Sequence, residues 1–223
     1  MEQFAHNFFN VPIMLQYLPE MLKGLVVTLE LAALVVLTGL STGLLLALGR
    51  SFQFKPANFL IVVLVDICRA LPPLVLIILV YFALPFVGVQ MSGFAAAWLV
   101  LSLVLASFSE EIFWAGITSV QRGQWEASRS TGLSFVQTLG YVVLPQAFKL
   151  TIPPLTNRTI AVTKNTALAS VVAVDELLTQ AGTAQAYSAN TSPLTVAAIG
   201  YLLIFFPLVV LSRWVESRYG WKR

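Results

Sequence analysis

Charge is what this chain has least of. Asp, Glu, Lys and Arg make up only 10% of its 223 residues, while 58% are hydrophobic; soluble domains carry roughly 25% charged residues. That balance excludes an ordinary soluble domain and argues for a protein embedded in a bilayer. Cysteine and histidine each occur once, as Cys68 and His6, which leaves no disulfide framework and no Cys/His metal site within one chain. No G-x-x-x-x-G-K-[ST] phosphate loop is present, so if ATP drives any process here, another subunit must bind it. Neither a nucleophile–base pair nor a metal cluster marks the chain as an enzyme. No 20–50-residue repeat, second domain or low-complexity linker interrupts it. Met1 to Leu22 lacks a basic cluster ahead of an apolar run, so no signal peptide is expected there. The net charge of +3 does not point to nucleic acid, because the cations sit at the ends of apolar runs, the pattern of membrane proteins.

What is present is a series of long apolar segments. Met1 to Met21 is amphipathic and carries Pro12 and Pro19, which predicts an interfacial segment broken before the first span. The first span covers about 24–49 and is apolar except for Glu30; at 1.5 Å per residue it exceeds the roughly 30 Å hydrocarbon core. The second covers about 58–84, carries Asp66 and Arg69 and is interrupted by Pro72-Pro73. The third runs from about 93 to 114 and contains Glu110-Glu111. A fourth is expected at about 159–178, with Lys164, Asp175 and Glu176, and Thr179 to Pro193 reads as an uncharged polar loop. The fifth covers about 194–212. The fold class is thus an all-α membrane protein, a single transmembrane domain over 1–223.

Five spans put the termini on opposite sides. With the N-terminus outside, the inner segments hold Arg50, Lys55, Arg122, Arg129, Lys149, Arg158, Arg213, Arg218, Lys222 and Arg223. Arg69 and Lys164 lie in spans, leaving Lys23 alone outside. The positive-inside rule therefore favours N-out and C-in, with the mixed segment of about 118–157 on the cytoplasmic side.

That segment contains Glu126-Ala127-Ser128, then three residues, Gly132, nine residues, and Val142-Val143-Leu144-Pro145. It resembles the EAA loop of permease subunits of bacterial ABC importers, with Ser128 and Val142 as mild departures from that pattern. Glu126 suits a position near a helix N-terminus, small Ala127 and Ser128 allow close approach, and Gly132 permits a left-handed C-cap. Gly123-Gln124 before it, Leu144-Pro145-Gln146-Ala147 within it, Pro153 and Asn157 after it, and Lys164-Asn165-Thr166-Ala167-Leu168 in the fourth span make the chain similar to the polar amino acid uptake branch. So do Gly24 to Leu29 and Arg69-Ala70-Leu71-Pro72. The resemblance implies a type I importer fold of five core helices in a bacterial inner membrane, surrounded by lipid. It implies an ATPase subunit pair docked on Gln124, Glu126, Ala127, Ser128, Gly132, Leu133 and Pro145. A second permease subunit, identical or homologous, an external solute-binding protein and an amino acid substrate are implied too. No cofactor is expected in this chain, ATP and Mg belonging to the partner ATPase.

The chain departs from that family at Trp114, where an arginine is usual, at Glu110, where a small residue is usual, and at Ala70-Leu71, where Gly-Thr is usual. Ionisable groups inside spans are costly and face a cavity or partner. Asp66, Arg69, Pro72, Glu110, Glu111, Lys164, Asn165 and Thr166 are the candidates for the substrate pathway and its gate. Asp66 and Arg69, three apart on one helix face, either pair with each other or meet a ligand. Adjacent Glu110 and Glu111 point to different sides, so at most one faces the pathway. Lys164 either lines the pathway or snorkels; Asp175-Glu176 are either solvated or contact the binding protein. Gly39-x-x-x-Gly43 reads as a close helix contact, and Trp98, Trp214 and Trp221 as interface anchors. The competing class is an ion- or proton-coupled carrier or channel acting alone through Asp66, Arg69, Glu110 and Lys164. An odd span number without internal symmetry speaks against it.

Overall fold

The computed structural model describes residues 2–219; Trp221, Lys222 and Arg223, named above, lie outside the described residues. Ten α-helices follow one another: α1 Glu2–Phe8, α2 Val11–Ser51, α3 Lys55–Ala70, α4 Pro73–Ala83, α5 Gly93–Ser119, α6 Arg122–Ser130, α7 Phe135–Thr138, α8 Leu144–Thr163, α9 Leu177–Ser188 and α10 Ser192–Tyr219. A π-helical turn at Leu139–Val143 leads into α8, and a 3-10 segment at Lys164–Val172 continues it. Three helices are long and apolar enough to cross a membrane among the described residues, and the bent pair α3–α4 makes a fourth.

The first helix is longer than its sequence suggests. Pro12 and Pro19 do not break α2, which runs unbroken over 41 residues. Asn10 caps it by accepting from the Ile13 N–H at 3.4 Å, and Pro12 falls in the first turn, where a missing N–H is no loss. Beyond Pro19, Met21 is buried against Leu177, Ala181 and Ala197, and that packing holds the helix through its proline.

The centre of the fold is α2 against α5. Leu31 and Val35 share a core with Val100, Leu101, Val104 and Leu105. Gly39 and Gly43 let the two helices approach within this one chain: a Cβ on Gly39 would lie 2.8 Å from Leu105 Cβ, and one on Gly43 2.6 Å from Ser109 Cβ and 2.7 Å from the Ala106 carbonyl oxygen. Trp98, expected as an interface anchor, donates its Nε1–H to Thr38 Oγ1 (3.1 Å), and that hydroxyl also bonds Ser102 Oγ (2.7 Å). Gly43→Ala should lower stability by about 1–3 kcal/mol through overpacking. Gly49→Ala, whose new methyl would meet only Ile61 at 3.8 Å, should be neutral or stabilising. Thermal midpoints in detergent compare the two, and equal midpoints would show that the close contact carries no energy.

The second expected span is not one helix. Leu71 and Pro72 are both extended, at ψ 138 and 134, because each precedes a proline and the α region is closed to it. Pro73 then opens α4, bent 104° from α3. The fourth expected span also starts elsewhere. Helix α8 begins at Leu144, with Pro145 in its first turn, and passes through Pro153-Pro154, so Asn157 and Arg158 lie within a helix rather than at the end of a loop. It packs antiparallel on α5 along its length. A Cβ on Gly116 would run into the Thr151 methyl, and one on Gly93 into the Val172 carbonyl oxygen.

The uncharged stretch after Thr179 is helical as well. Small residues that resemble a loop in sequence are helix formers when alanine dominates, and Ala181 and Ala184 are buried in α9. Glu176 caps this helix. It is fully buried and accepts from the N–H groups of Leu178 (3.0 Å) and Thr179 (2.7 Å), from Thr179 Oγ1 (3.1 Å) and from the Tyr201 hydroxyl (2.6 Å). Glu176 is therefore neither solvated nor free to meet a partner, whereas Asp175 is exposed. Asn190 is buried and donates to the His6 carbonyl at 3.0 Å, fastening α1 to the junction of α9 and α10.

Candidate coupling face and transport pathway

Helix α6 is short, polar and set apart. Its nine residues are exposed except Trp125, half-buried, and Ser128, buried. Those two side chains attach it to the body. Trp125 stacks on Phe135 at 5.6 Å, and Phe135 meets Phe52 at 5.5 Å. Ser128 Oγ donates to Thr138 Oγ1 at 3.4 Å while bonding back to the Gln124 carbonyl at 2.8 Å. The helix stops at Gly132, which has φ +92 and donates its N–H to the Arg129 carbonyl (3.0 Å). The left-handed C-terminus expected of Gly132 is thus present.

Two expectations for this segment change. Glu126 is not in the first turn of α6, which holds no acid; it lies in the second turn and is exposed. Ser128 faces inward, so the outward small residue is Ala127. Gln124 and Pro145 are exposed and Leu133 is half-buried; Gln146 Nε2 donates to Gln124 Oε1 at 3.5 Å, joining α6 to the start of α8. The aromatic anchors Phe52, Trp125 and Phe135 are absent from the sequence-derived set. Trp125 could have been found, as the single large apolar residue of α6.

A pocket of about 380 Å³ lies between α6 and the body, lined among others by Ser51, Gln53, Trp114, Trp125, Glu126 and Phe135. Near its Trp114 wall is an ion pair: Arg50 Nη1 donates to Glu110 Oε1 at 3.1 Å, with the Glu110 side chain fully buried and that of Arg50 23% exposed. The Arg50 guanidinium also lies 4.6 Å from the Trp114 ring centroid. Trp114 is one turn from Glu110, so two of the three departures from the expected pattern grip one cation of α2.

Glu111 turns the other way. Its Oε2 lies 2.5 Å from Arg69 Nη2, whereas Asp66 Oδ1 stands 4.0 Å from Arg69 Nη1. The close partner of Arg69 is therefore Glu111 on α5, not Asp66 on its own helix. Two guanidiniums flank one ring, Arg158 at 3.8 Å and Arg69 at 5.4 Å from the Phe108 centroid. Asp66, Arg69 and Glu111 thus come together; Glu110 belongs to a separate pair, and Pro72 ends the helix bearing Arg69. Lys164 is elsewhere: it lines a groove of about 300 Å³ with Asn157, Ser212, Arg213 and Glu216. Thr166 is buried and donates to the Thr163 carbonyl at 2.8 Å, and Asn165 is half-buried. Lys164 and Thr166 therefore contact other groups than the Arg69–Glu111 pair.

Residues 13–221 match the family model of the binding-protein-dependent transport system inner membrane component. The chain belongs to this family. It is 34% identical over 207 residues to the probable glutamine ABC transporter permease protein GlnP of Bacillus subtilis (strain 168), covering 91% of this chain and 95% of that one. The L-cystine transport system permease protein TcyB of the same organism is 33% identical over 204 residues, with 90% and 86% covered. The crystal structure of an amino acid ABC transporter with histidines superposes with a TM-score of 0.83 at 32% identity, over 92% of this chain and 96% of that one. An inward-facing structure of the methionine ABC transporter MetNI, at 24% identity and a TM-score of 0.62, shares the fold. This inner membrane component is therefore an all-α, multi-pass membrane protein with the architecture of type I importer permeases.

Proposed function

We propose that the chain is the membrane-spanning subunit of an ATP-driven importer of a polar amino acid. A separate ATPase pair docks on α6, a second permease subunit completes the pathway, and a binding protein delivers the cargo from outside. The membrane is the bacterial inner membrane, with the N-terminus outside and the C-terminus inside, so that α6 faces the cytoplasm. The observation that carries the reading is the construction of α6. It is a polar helix with almost every side chain exposed, ending at a left-handed glycine and joined to the body through Trp125 and Ser128. Exposed Gln124, Glu126 and Ala127 form the docking face, while Gly132, Leu133 and Pro145 set its exit. Closure of an ATP-loaded dimer displaces α6; the aromatic anchors pass that displacement to the pocket beneath Arg50 and Trp114, and α2 and α5 shift about their close glycine contact. ATP and its Mg ion stay on the partner.

The experiment compares the chain alone with the complex of permease, ATPase subunit and binding protein in proteoliposomes. ATP hydrolysis should be absent from the chain alone and should rise in the complete system when L-glutamine is supplied. Hydrolysis by the chain alone, or amino acid uptake by it under an ion gradient without ATP, would overturn the reading; the latter result would instead support a secondary carrier.

A further inference from the structure

A groove of about 700 Å³ runs between α2, α8 and α10, within the 300–1,000 Å³ range of ligand pockets. Its walls extend from Leu29 to Leu40, from Ile152 to Thr163 and from Ile204 to Leu211. Arg69, Glu111 and Arg158 are not among them. Apart from three threonines, every side chain in the walls is apolar. Two of those hydroxyls are spent inside α8: Thr156 Oγ1 donates to the Ile152 carbonyl (2.8 Å) and Thr163 Oγ1 to the Thr159 carbonyl (3.0 Å). A polar solute would give up its water there with almost nothing to bond in return. The groove suits hydrocarbon, not the cargo.

Its length matches one leaflet. The α2 and α8 walls each rise over eleven positions, about 16 Å at 1.5 Å per residue, and half of a roughly 30 Å hydrocarbon core is about 15 Å. Charge then distinguishes the two ends. At the end far from α6, exposed Glu30 follows Leu29. Toward α6, Lys149 precedes Ile152 by three residues and Arg218 follows Leu211 by seven, spacings that keep each on the helix face of the wall it extends. Both cations are exposed, and among the described residues neither has a carboxylate within 4.0 Å. An anion is repelled at one mouth and attracted at the other. We propose that the groove holds an acyl chain of an anionic phospholipid from the leaflet on the α6 side, its phosphate lying between Lys149 and Arg218. Basic residues beside a cleft between membrane helices recognise such headgroups, and a lipid tail is as apolar as the leucines it meets. The chain acts as a wedge between α2 and α8. The site goes beyond the importer reading and is independent of which solute is carried.

The test places the full chain in phosphatidylcholine nanodiscs doped with either of two probes, phosphatidylglycerol or phosphatidylcholine carrying a diazirine on one acyl chain. After illumination, peptide mapping should find the groove walls labelled at least tenfold more by the phosphatidylglycerol probe. Leu202, Leu203 and Phe206, exposed on α10 outside the groove, should label alike with both. Lys149→Gln combined with Arg218→Gln should bring groove labelling by the two probes within twofold of each other. Ala33→Trp, which sends an indole into the groove from an exposed position, should cut labelling at least tenfold with both. Equal labelling of the groove by both probes in the wild type overturns the site without needing any variant to fold. So does a groove labelled no more than Leu202 and Leu203, since its lipid is then only the surrounding bilayer. Disulfide formation between two copies carrying Ala33→Cys, in a Cys68→Ser background, would give the groove to a second permease subunit and overturn the lipid site as well.

Discussion

Gly132→Val is expected to reduce ATP-driven uptake at least tenfold while leaving the protein folded in the membrane. The reason is conformational rather than steric. A Cβ at Gly132 would meet nothing within 4 Å, but the residue holds φ +92, a region that a β-branched side chain does not adopt without strain. Such strain is worth on the order of 1–3 kcal/mol, and about 1.4 kcal/mol is tenfold in an equilibrium. The cost falls on α6 rather than on the core, because α6 has only nine residues, too few to be stable without its neighbours, and is fastened chiefly by Trp125 and Ser128, with one long Gln124–Gln146 hydrogen bond besides. Relaxing Gly132 to negative φ unwinds the last turn and redirects the chain toward Leu133. Gly132→Asn should keep most of the uptake, since asparagine tolerates the left-handed region. The measurements are radiolabelled uptake into vesicles and a size-exclusion profile of the purified complex. Normal uptake with valine would argue strongly against α6 as the coupling element.

The position of that glycine was legible because a motif of fixed spacing is local. Other local signals served equally well: Pro72-Pro73 marked the bend between α3 and α4, and Gly39-x-x-x-Gly43 marked a close helix approach, although the partner is α5 of the same chain. Legibility failed where the deciding interaction joins distant segments. Arg50 and Glu110 are separated by 60 positions, so a cation at the end of an apolar run looked like a membrane-edge charge. Arg69 was compared with Asp66 because both lie on α3, but side chains reach across helices, and Glu111 proved closer. Pro153-Pro154 suggested a loop around Arg158; α8 instead runs helical through both prolines from Leu144 to Thr163, packed on α5 where Thr151 meets Gly116. Glu176 looked solvated because hydropathy cannot register four donors converging on one buried carboxylate.

The two glutamates of α5 divide the fold between them. Glu110 reaches α2 and Glu111 reaches α3, so one helix turn carries ion pairs to both neighbours. The pocket of Ser51, Trp114 and Trp125 touches α5 directly, and Arg50 lies over the Trp114 ring beside it. The Arg69–Glu111 pair therefore lies one residue along α5 from the Arg50–Glu110 pair.

Glu110→Gln is consequently expected to have the larger effect on the whole molecule. Removing one partner of a buried ion pair leaves the other uncompensated, at about 3–5 kcal/mol. Arg50 is 23% exposed and keeps the Trp114 face, a contact worth on the order of 1 kcal/mol, so the loss should fall toward the lower end of that range. Arg50→Met alone should be comparably destabilising, because it buries Glu110 without a cation. The double change Arg50→Met with Glu110→Leu should recover most of the thermal midpoint, as buried pairs replaced by apolar residues often do. Uptake separates the two roles of the pair. If the pair transmits movement from α6, the double variant should be stable yet transport at least tenfold more slowly than the wild type. Recovery of both stability and uptake would reduce the pair to a packing element, and coupling would then have to pass through the glycine contact of α2 with α5 alone.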